Sequence, residues 1–428
     1  MKKQQDDNSR TINNARPLLR TSVLFANFFL IIMALYNLKP ASRSLILESY
    51  GTSALPYIWI GSALTLLVAI FFYHHILNRY SRLQVVLGSC LVFITVLVLF
   101  RLSLLVSTSN IIPVGFYIFV DILGVVLVEQ FWSLTDSIYS TEEGKRWYGL
   151  VGTGGLVGGV AGGGVAALLI NYTPVQTHDL LLVAAAIIAI IFGLTWLMGR
   201  QQLYSNTIEM SKPRQMKHRW QILTQSRYLI LIAASLMVAQ LVSPMVEFQF
   251  MRIIEGAYTE RETRTAVLSL FFSVLSTVSI GINLLITPII LRYLGILAGL
   301  MVQPLALATS AYGFVIDPTL YPAATMKISD RGLSYSINRA SKELLYIPID
   351  PVTIYESKAW IDMFGYRIFK VIGAMLILFL TQWTSLASGQ NQLSWIIIGG
   401  CVLWAIVLFY LHREYQNISV PQPKPILN

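Results

Sequence analysis

Charge is scarce in this chain. Of its 428 residues, 12% are Asp, Glu, Lys or Arg, about half the share of a soluble domain. That shortage excludes a soluble enzyme and a disordered polymer. Cysteine is nearly absent too. Cys90 and Cys401 both sit in apolar runs, which excludes a disulfide scaffold and a cysteine-ligated metal cluster. No Ser-His-Asp arrangement and no metal-ligand spacing stands out, and His74 and His75 read as interfacial residues at a span end. No catalytic residue, cofactor or metal site is therefore expected. What the chain has instead is apolar surface: 55% hydrophobic residues and a mean hydropathy of +0.64. These values describe a polytopic membrane protein. At roughly 20 residues per helical span, the length accommodates twelve helices with short loops.

Apolar runs fall near 21–38, 57–77, 83–106, 112–136, 148–170 and 180–199. A polar stretch, Arg200 to Arg227, follows. Further runs lie near 228–250, 266–289, 293–315, 363–385 and 391–412. A twelfth span is placed at 319–345, where charges obscure the hydropathy, because the two halves would otherwise be unequal. Polar content is tolerated in a span that lines a water-filled cavity. The expected fold is an all-α membrane protein of twelve transmembrane helices. Its parts are an N-terminal six-helix half (1–199), a basic cytoplasmic loop (200–227) and a C-terminal six-helix half (228–428). This 6+6 layout resembles the major facilitator architecture, in which two halves rock around a midplane site. No residue-level repeat relates the halves.

Basic residues orient the spans. On one side lie only Lys39, Arg43, Arg101, Arg252, Arg261 and Arg264, and four more, Lys327, Arg331, Arg339 and Lys342, lie in the polar tenth span. The rest of the 31 Lys and Arg residues fall on the side of the termini and the 200–227 loop. Both termini are therefore expected in the cytoplasm, with the chain in the cell (inner) membrane. The net charge of +10 is then mostly topology, and no basic stripe interleaved with aromatics points to nucleic acid. The first twenty residues have no apolar core and do not read as a cleaved signal. The expected partners are a small solute and the lipid bilayer, with the protein a monomer.

Charges at membrane depth are costly and mark function by default. The fourth span carries Asp121 and Glu129, with Asp136 near its end, and the seventh carries Glu247. In the tenth span Lys327, Arg331, Ser334, Asn338 and Lys342 recur at spacings of four, three, four and four. That spacing makes one polar helix face, with Arg339 and Glu343 to one side. A cationic face opposed by carboxylates of the other half suits an anionic solute, since Arg and Lys both grip phosphate. The competing reading is that the charges merely pair with one another, Asp330 with Arg331 and Glu343 with Arg339. The run GLVGTGGLVGGVAGGG at 149–164 lacks the Lys-Ser/Thr of a phosphate-binding loop. Its Gly154–Gly158–Gly162 and Gly155–Gly159–Gly163 rows predict close helix packing instead.

Two segments carry a resemblance. One is Phe131 to Gly155, with Phe131-Trp132, Glu142-Glu143, Lys145-Arg146, Trp147-Tyr148 and the glycine run. The other is Asn338 to Lys370, with Lys342-Glu343-Leu344-Leu345-Tyr346-Ile347-Pro348-Ile349-Asp350, then Lys358, Ile361, Asp362, Gly365, Arg367 and Lys370. Both resemble the nucleotide transporter family of plastids and intracellular bacteria, the ATP/ADP translocases unrelated to the mitochondrial carriers. The resemblance implies a twelve-span fold and exchange of ATP for ADP plus phosphate. It implies functional roles for Lys342 and Glu247, and for a fourth-span carboxylate at or beside Asp121. The sequence departs from the family where a first-span lysine falls on Ser42, with Arg43 adjacent. It departs again where Gln249 and Phe250 follow Glu247, and where Asp136 replaces an asparagine.

The candidate substrate contacts are thus Lys342, Glu247, Asp121, Glu129, Arg43, Lys327, Arg331, Asn338 and Arg339. Lys342 is expected to rest against Glu247, Asp121 or Glu129 when the site is empty. The expected function is transport of an anionic solute, ATP/ADP exchange above all. The alternatives are a carrier of another solute, driven by protons through Asp121, Glu129 or Glu247, and a non-transporting membrane scaffold of the same fold.

Overall fold

Hydrocarbon offers no water to a free N–H or C=O, so each apolar run must close its hydrogen bonds within itself as a helix. The structure, a computed structural model, describes residues 2–77, 79–107, 109–139, 141–201, 226–346, 365–382 and 390–419. Among the described residues it contains twelve long helical segments, two single-turn 3-10 helices (Thr52–Ala54 and Thr177–Asp179) and no strand. They are α1 (Lys2–Ser49), α2 (Leu55–Leu77), α3 (Arg82–Val106), α4 (Ile111–Ile138), α5 (Thr141–Tyr172) and α6 (Leu180–Arg200). Then come α7 (Arg227–Ala257), α8 (Arg261–Tyr293) and α9 (Gly295–Ile316). α10 joins Leu320–Leu333, a π-helical turn Ser334–Asn338, and Arg339–Leu345. α11 (Tyr366–Gln382) and α12 (Gln390–Ser419) complete the series.

Ten of these helices are long and apolar enough to cross a membrane. The other two are α10, which carries the charges, and α11, whose described part has 17 residues. Large apolar side chains stand outward on the spans; in α2 Phe71 is 73% exposed, with Leu64, Val68 and Phe72 beside it. A water-facing surface would not carry such a patch, but lipid solvates it. The chain is a multi-pass membrane protein. Most of the 200–227 loop, and 347–364 of the second resembling segment, lie outside the described residues.

Local chemistry ends and starts the helices. Ser81 caps α3 in a capping box: its hydroxyl accepts from the Gln84 amide at 3.3 Å, and the Gln84 side chain accepts from the Ser81 amide at 3.1 Å. Leu294 alone separates α8 from α9, and Gly295, which opens α9 with φ of +80°, completes the corner in a conformation that a side chain would strain.

Contacts group the chain into two compact units. The first holds residues up to Ala54, Gly61 to Met210, and Tyr258–Thr277, the beginning of α8. Its core runs from α1 (Leu24, Phe28, Leu35) to α4 (Phe116, Leu123, Leu127) and α6 (Ala184, Ile188). α5 threads this unit through its glycines. A Cβ on Gly154 would lie 2.7 Å from the Phe25 carbonyl oxygen, and one on Gly162 2.5 Å from that of Met33. A Cβ on Gly158 would overlap the carbonyl of Phe29. In the other row Gly155 still lies against the Phe28 ring of α1, but Gly159 lies against Ser276 and Gly163 against the Ser269 carbonyl, at 2.6 and 2.5 Å from where a Cβ would sit. Ser273 then donates to the Val160 carbonyl at 2.8 Å. The close packing expected of both glycine rows is what the backbone shows, the first row and Gly155 against α1, Gly159 and Gly163 against α8.

The second unit holds Leu55–Ile60, the chain from Ser211 to Ala257, and Val278 onward. Its core includes Tyr228, Ile232, Leu300, Trp404, Leu408 and Leu411. Interhelical hydrogen bonds pin it, Trp404 Nε1 to Ser235 at 3.0 Å and Gln249 to Ser394 at 2.9 Å. Such bonds add order 1 kcal/mol each within a membrane.

Candidate functional site

α10 is amphipathic in an unusual sense: its two stripes are both partly polar. Met326, Asp330, Leu333, Ile337 and Ser341 form the buried stripe. Ser341 meets Gly299 of α9, where a side chain would not fit. The row Lys327, Arg331, Ser334, Asn338 and Lys342 runs one residue behind it. Lys327 is buried, 1% exposed, and the other four are half-buried. The π turn at Ser334–Asn338 carries more than four residues per turn, which suits steps of four and keeps the row from drifting around the helix. The helix end is held by Tyr228 of α7, whose buried hydroxyl donates to the Leu345 carbonyl at 2.6 Å. That bond satisfies one of the carbonyls a helix C-terminus leaves open. Arg339 and Glu343, predicted to lie to one side, are exposed.

The charged centre of the second unit is a quartet. Lys327 Nζ forms an ion pair with Glu247 of α7 and lies 3.6 Å from Asp330 Oδ2, one turn along its own helix. Arg331 Nε lies 3.4 Å from the same Asp330 oxygen. Ser243 donates to that oxygen at 2.8 Å, and Gln303 of α9 donates to the Asp330 carbonyl at 2.8 Å. Two cations and two carboxylates leave the cluster formally neutral. Neutrality is what makes it tolerable: buried charges are affordable only when paired and hydrogen-bonded.

Two expectations change here. The carboxylate partners of Lys327 and Arg331 come from their own unit, so the alternative of mutual pairing describes this part of α10. The lysine that meets Glu247 is Lys327 rather than Lys342. Lys342 is fifteen residues further along, about 22 Å at 1.5 Å per residue, beyond a lysine's reach of the same carboxylate. Hydropathy reading undervalued Asp330 and missed Ser243 and Gln303. The Lys327–Asp330 spacing of three was the available signal; the two uncharged residues gave none.

In the first unit Arg43 of α1 lies 5.8 Å from the Tyr117 ring and 5.4 Å from the Phe272 ring, with Nη1 reaching the Lys39 carbonyl at 3.4 Å. Aromatic faces stabilise a guanidinium by about 0.5–2 kcal/mol. Asp121 lies one turn beyond Tyr117 on α4 and accepts from the buried Ser62 hydroxyl at 2.8 Å. Glu129 is exposed two turns further on, and Asp136 is exposed and accepts from Tyr148 at 2.7 Å. The Phe131-Trp132 pair has a packing role: Phe131 stacks on Phe28 at 4.7 Å, Trp132 meets Phe28 edgewise, and Tyr148 closes on Trp132. The side chains of Glu142, Lys145 and Arg146 lie outside the described residues. Among the described residues no group of three His, Cys, Asp or Glu side chains could hold a metal ion.

Two solved structures with this fold carry the names of transporters. The chain aligns with the nucleoside transporter NupG (D323A mutant) at a TM-score of 0.67 and 11% identity, covering 92% of this chain and 99% of that one. It aligns with a bacterial homologue of the iron transporter ferroportin, in an inward-facing state, at 0.65 and 12%, covering 92% and 98%. These likenesses establish the fold. In sequence it is 24% identical over 423 residues to ADP,ATP carrier protein 1 of Chlamydia trachomatis, 82% of this chain and 80% of the relative. It is 22% identical over 358 residues to ADP,ATP carrier protein 2 of Chlamydia pneumoniae, covering 70% of this chain and 66% of the relative's length. ADP,ATP carrier protein 4 of Rickettsia conorii matches at 24% over 351 residues, 71% and 68%. These relatives are carriers by name, not enzymes. The family model described as TLC ATP/ADP transporter matches residues 113–327 and 319–415. That match runs from the first turn of α4 into α12, well over half of the sequence, and the chain belongs to the TLC ATP/ADP transporter family.

Proposed function

We propose that this chain exchanges ATP and ADP across the cell (inner) membrane by alternating access. The observation that carries the reading is the half-buried polar row of α10. Arg331, Ser334, Asn338 and Lys342 lie along about 16 Å of helix at 1.5 Å per residue, comparable with an extended nucleoside triphosphate. Cations there match phosphate oxygens, and Ser334 and Asn338 offer neutral hydrogen bonds. Lys342 is assigned to the terminal phosphates, as the position where helix chemistry and family resemblance coincide. Lys327 and Glu247 support the row from beneath. In the first unit Arg43 and Asp121 are assigned to the solute path, with Glu129 as its outlying member.

The relatives named ADP,ATP carriers support the choice of solute. The decisive measurement is counter-exchange in liposomes holding the purified protein. Labelled ATP should enter vesicles preloaded with ADP and fail to enter vesicles preloaded with buffer. A second reading, a carrier of a less charged solute, is favoured by Ser42 at the family's lysine position and by the neutralised Lys327. It gains if neither nucleotide moves while a neutral solute does.

The excess of basic residues on one side supports cytoplasmic termini and a cytoplasmic 200–227 loop joining two six-helix halves. Ser211→Cys should resist an impermeant thiol reagent added to intact cells and react after lysis; labelling in intact cells reverses the orientation.

A further inference from the structure

We infer that Asp330 is an internal counter-anion, held against Arg331 while the carrier is empty and replaced there by substrate phosphate. The inference rests on the nucleotide reading above. It starts from one oxygen. Asp330 Oδ2 is shared by Arg331 Nε at 3.4 Å, Lys327 Nζ at 3.6 Å and the Ser243 hydroxyl at 2.8 Å. The Gln303 side chain fixes the backbone beneath it by bonding the Asp330 carbonyl at 2.8 Å. The carboxylate is thus held in place while its contact to Arg331 is loose, longer than the roughly 2.7–2.9 Å of a close charge-assisted bond.

Exposure sets the direction of the exchange. The side chains of Lys327 and Asp330 are 1% and 5% exposed, and that of Arg331 is 21% exposed. Arg331 is therefore the member of the quartet that an incoming solute reaches first. A phosphate presents oxygens that match the guanidinium fork, which a carboxylate approached through Nε does not. When phosphate takes Arg331, Asp330 keeps Lys327 and Ser243, so no buried charge is stranded. The surroundings permit adjustment: the π turn of α10 begins three residues after Arg331, and Pro244 interrupts α7 beside Ser243. π turns recur at functional sites.

Asp330 is then a specificity-determining residue that competes with the solute. It weakens binding, speeds release, and disfavours the more highly charged nucleotide. In ATP/ADP exchange, Asp330→Asn should lower KM for ATP about tenfold, or about 1.4 kcal/mol, lower kcat, and shift preference from ADP toward ATP. Asp330→Glu should return KM toward the wild-type value. Ser243→Ala removes a competing donor, tightens Asp330 on Arg331, and should raise KM, opposite in sign to Asp330→Asn. A packing role would shift both in the same direction. In an Arg331→Gln background Asp330→Asn should leave KM unchanged, because the residues act as a unit. A KM shift independent of Arg331, or Ser243→Ala and Asp330→Asn acting in the same direction, overturns the assignment while leaving nucleotide exchange intact. Wild-type protein that exchanges no adenine nucleotide overturns both.

Discussion

α5 and α10 are both partly buried helices rich in residues a transmembrane span ordinarily avoids, and they solve opposite problems. α5 in the first unit removes side chains: Gly154, Gly158 and Gly162 let its backbone rest on that of α1. α10 in the second unit adds charged ones: Lys327, Asp330 and Arg331 with Glu247 on α7. The glycine contact is made of dispersion alone, so no solute can substitute for any part of it. The ionic contact is made of pairs, and an anion can exchange for one of its members. A helix joined by glycines is suited to holding, and one joined by charges to responding.

The comparison breaks most severely at Lys327. Lys327→Ala takes the lysine away from the buried Glu247 carboxylate and leaves Arg331 to face Asp330; breaking a buried pair in this way costs about 3–5 kcal/mol. The purified variant should melt well below wild type in detergent. Lys327→Met combined with Glu247→Leu removes the pair instead of breaking it. It should recover most of that stability without recovering transport. Recovery of transport would mean that the pair is only a fastening, like the glycines.

At α5 the expected effect is next in size. Gly158→Leu forces a side chain into the Phe29 carbonyl, and overpacking costs roughly 1–3 kcal/mol or more. Yield and melting temperature should fall. Any surviving transporter should keep its ratio of ATP to ADP transport. Gly152, in the same run but with nothing within 4 Å of its Cβ position, is the control. Gly152→Ala should be neutral or stabilising by up to about 1 kcal/mol. A changed solute ratio in Gly158→Leu with the fold intact would move α5 from holding to responding.

Lys342 gives the smallest and sharpest effect on stability. It is half-buried near the end of α10. Lys342→Ala should lower exchange about tenfold, or about 1.4 kcal/mol, with little change in melting temperature. Lys342→Arg should regain part of the loss if charge outweighs shape. Loss of stability equal to that of Lys327→Ala would place Lys342 among the fastenings.

Much of this was readable in the residues. Helix positions follow from apolar runs because hydrocarbon leaves the backbone no alternative, and the runs of the sequence fall on the helices found. The glycine rows were legible for the same reason: small residues every four positions have one structural use in a span. Charges in α10 were legible as an anomaly, since each costs several kcal/mol unless compensated. Their partners were not. Sequence spacing relates residues on one helix, so it offered Asp330 and Arg331 as neighbours but could not choose among Glu247, Asp121 and Glu129 for a lysine.

What the sequence determined alone is therefore the all-helical membrane class, the polar row of α10 and the packing rows of α5. These depend on local period and on transfer from water, both of which are properties of single segments. Only the tertiary structure decided that Lys327 rather than Lys342 meets Glu247, that Ser243 and Gln303 converge on Asp330, and that Arg43 lies against Tyr117 and Phe272. Those contacts depend on how far each helix slides along its neighbour. A slide of one turn costs little in hydropathy and changes every partner.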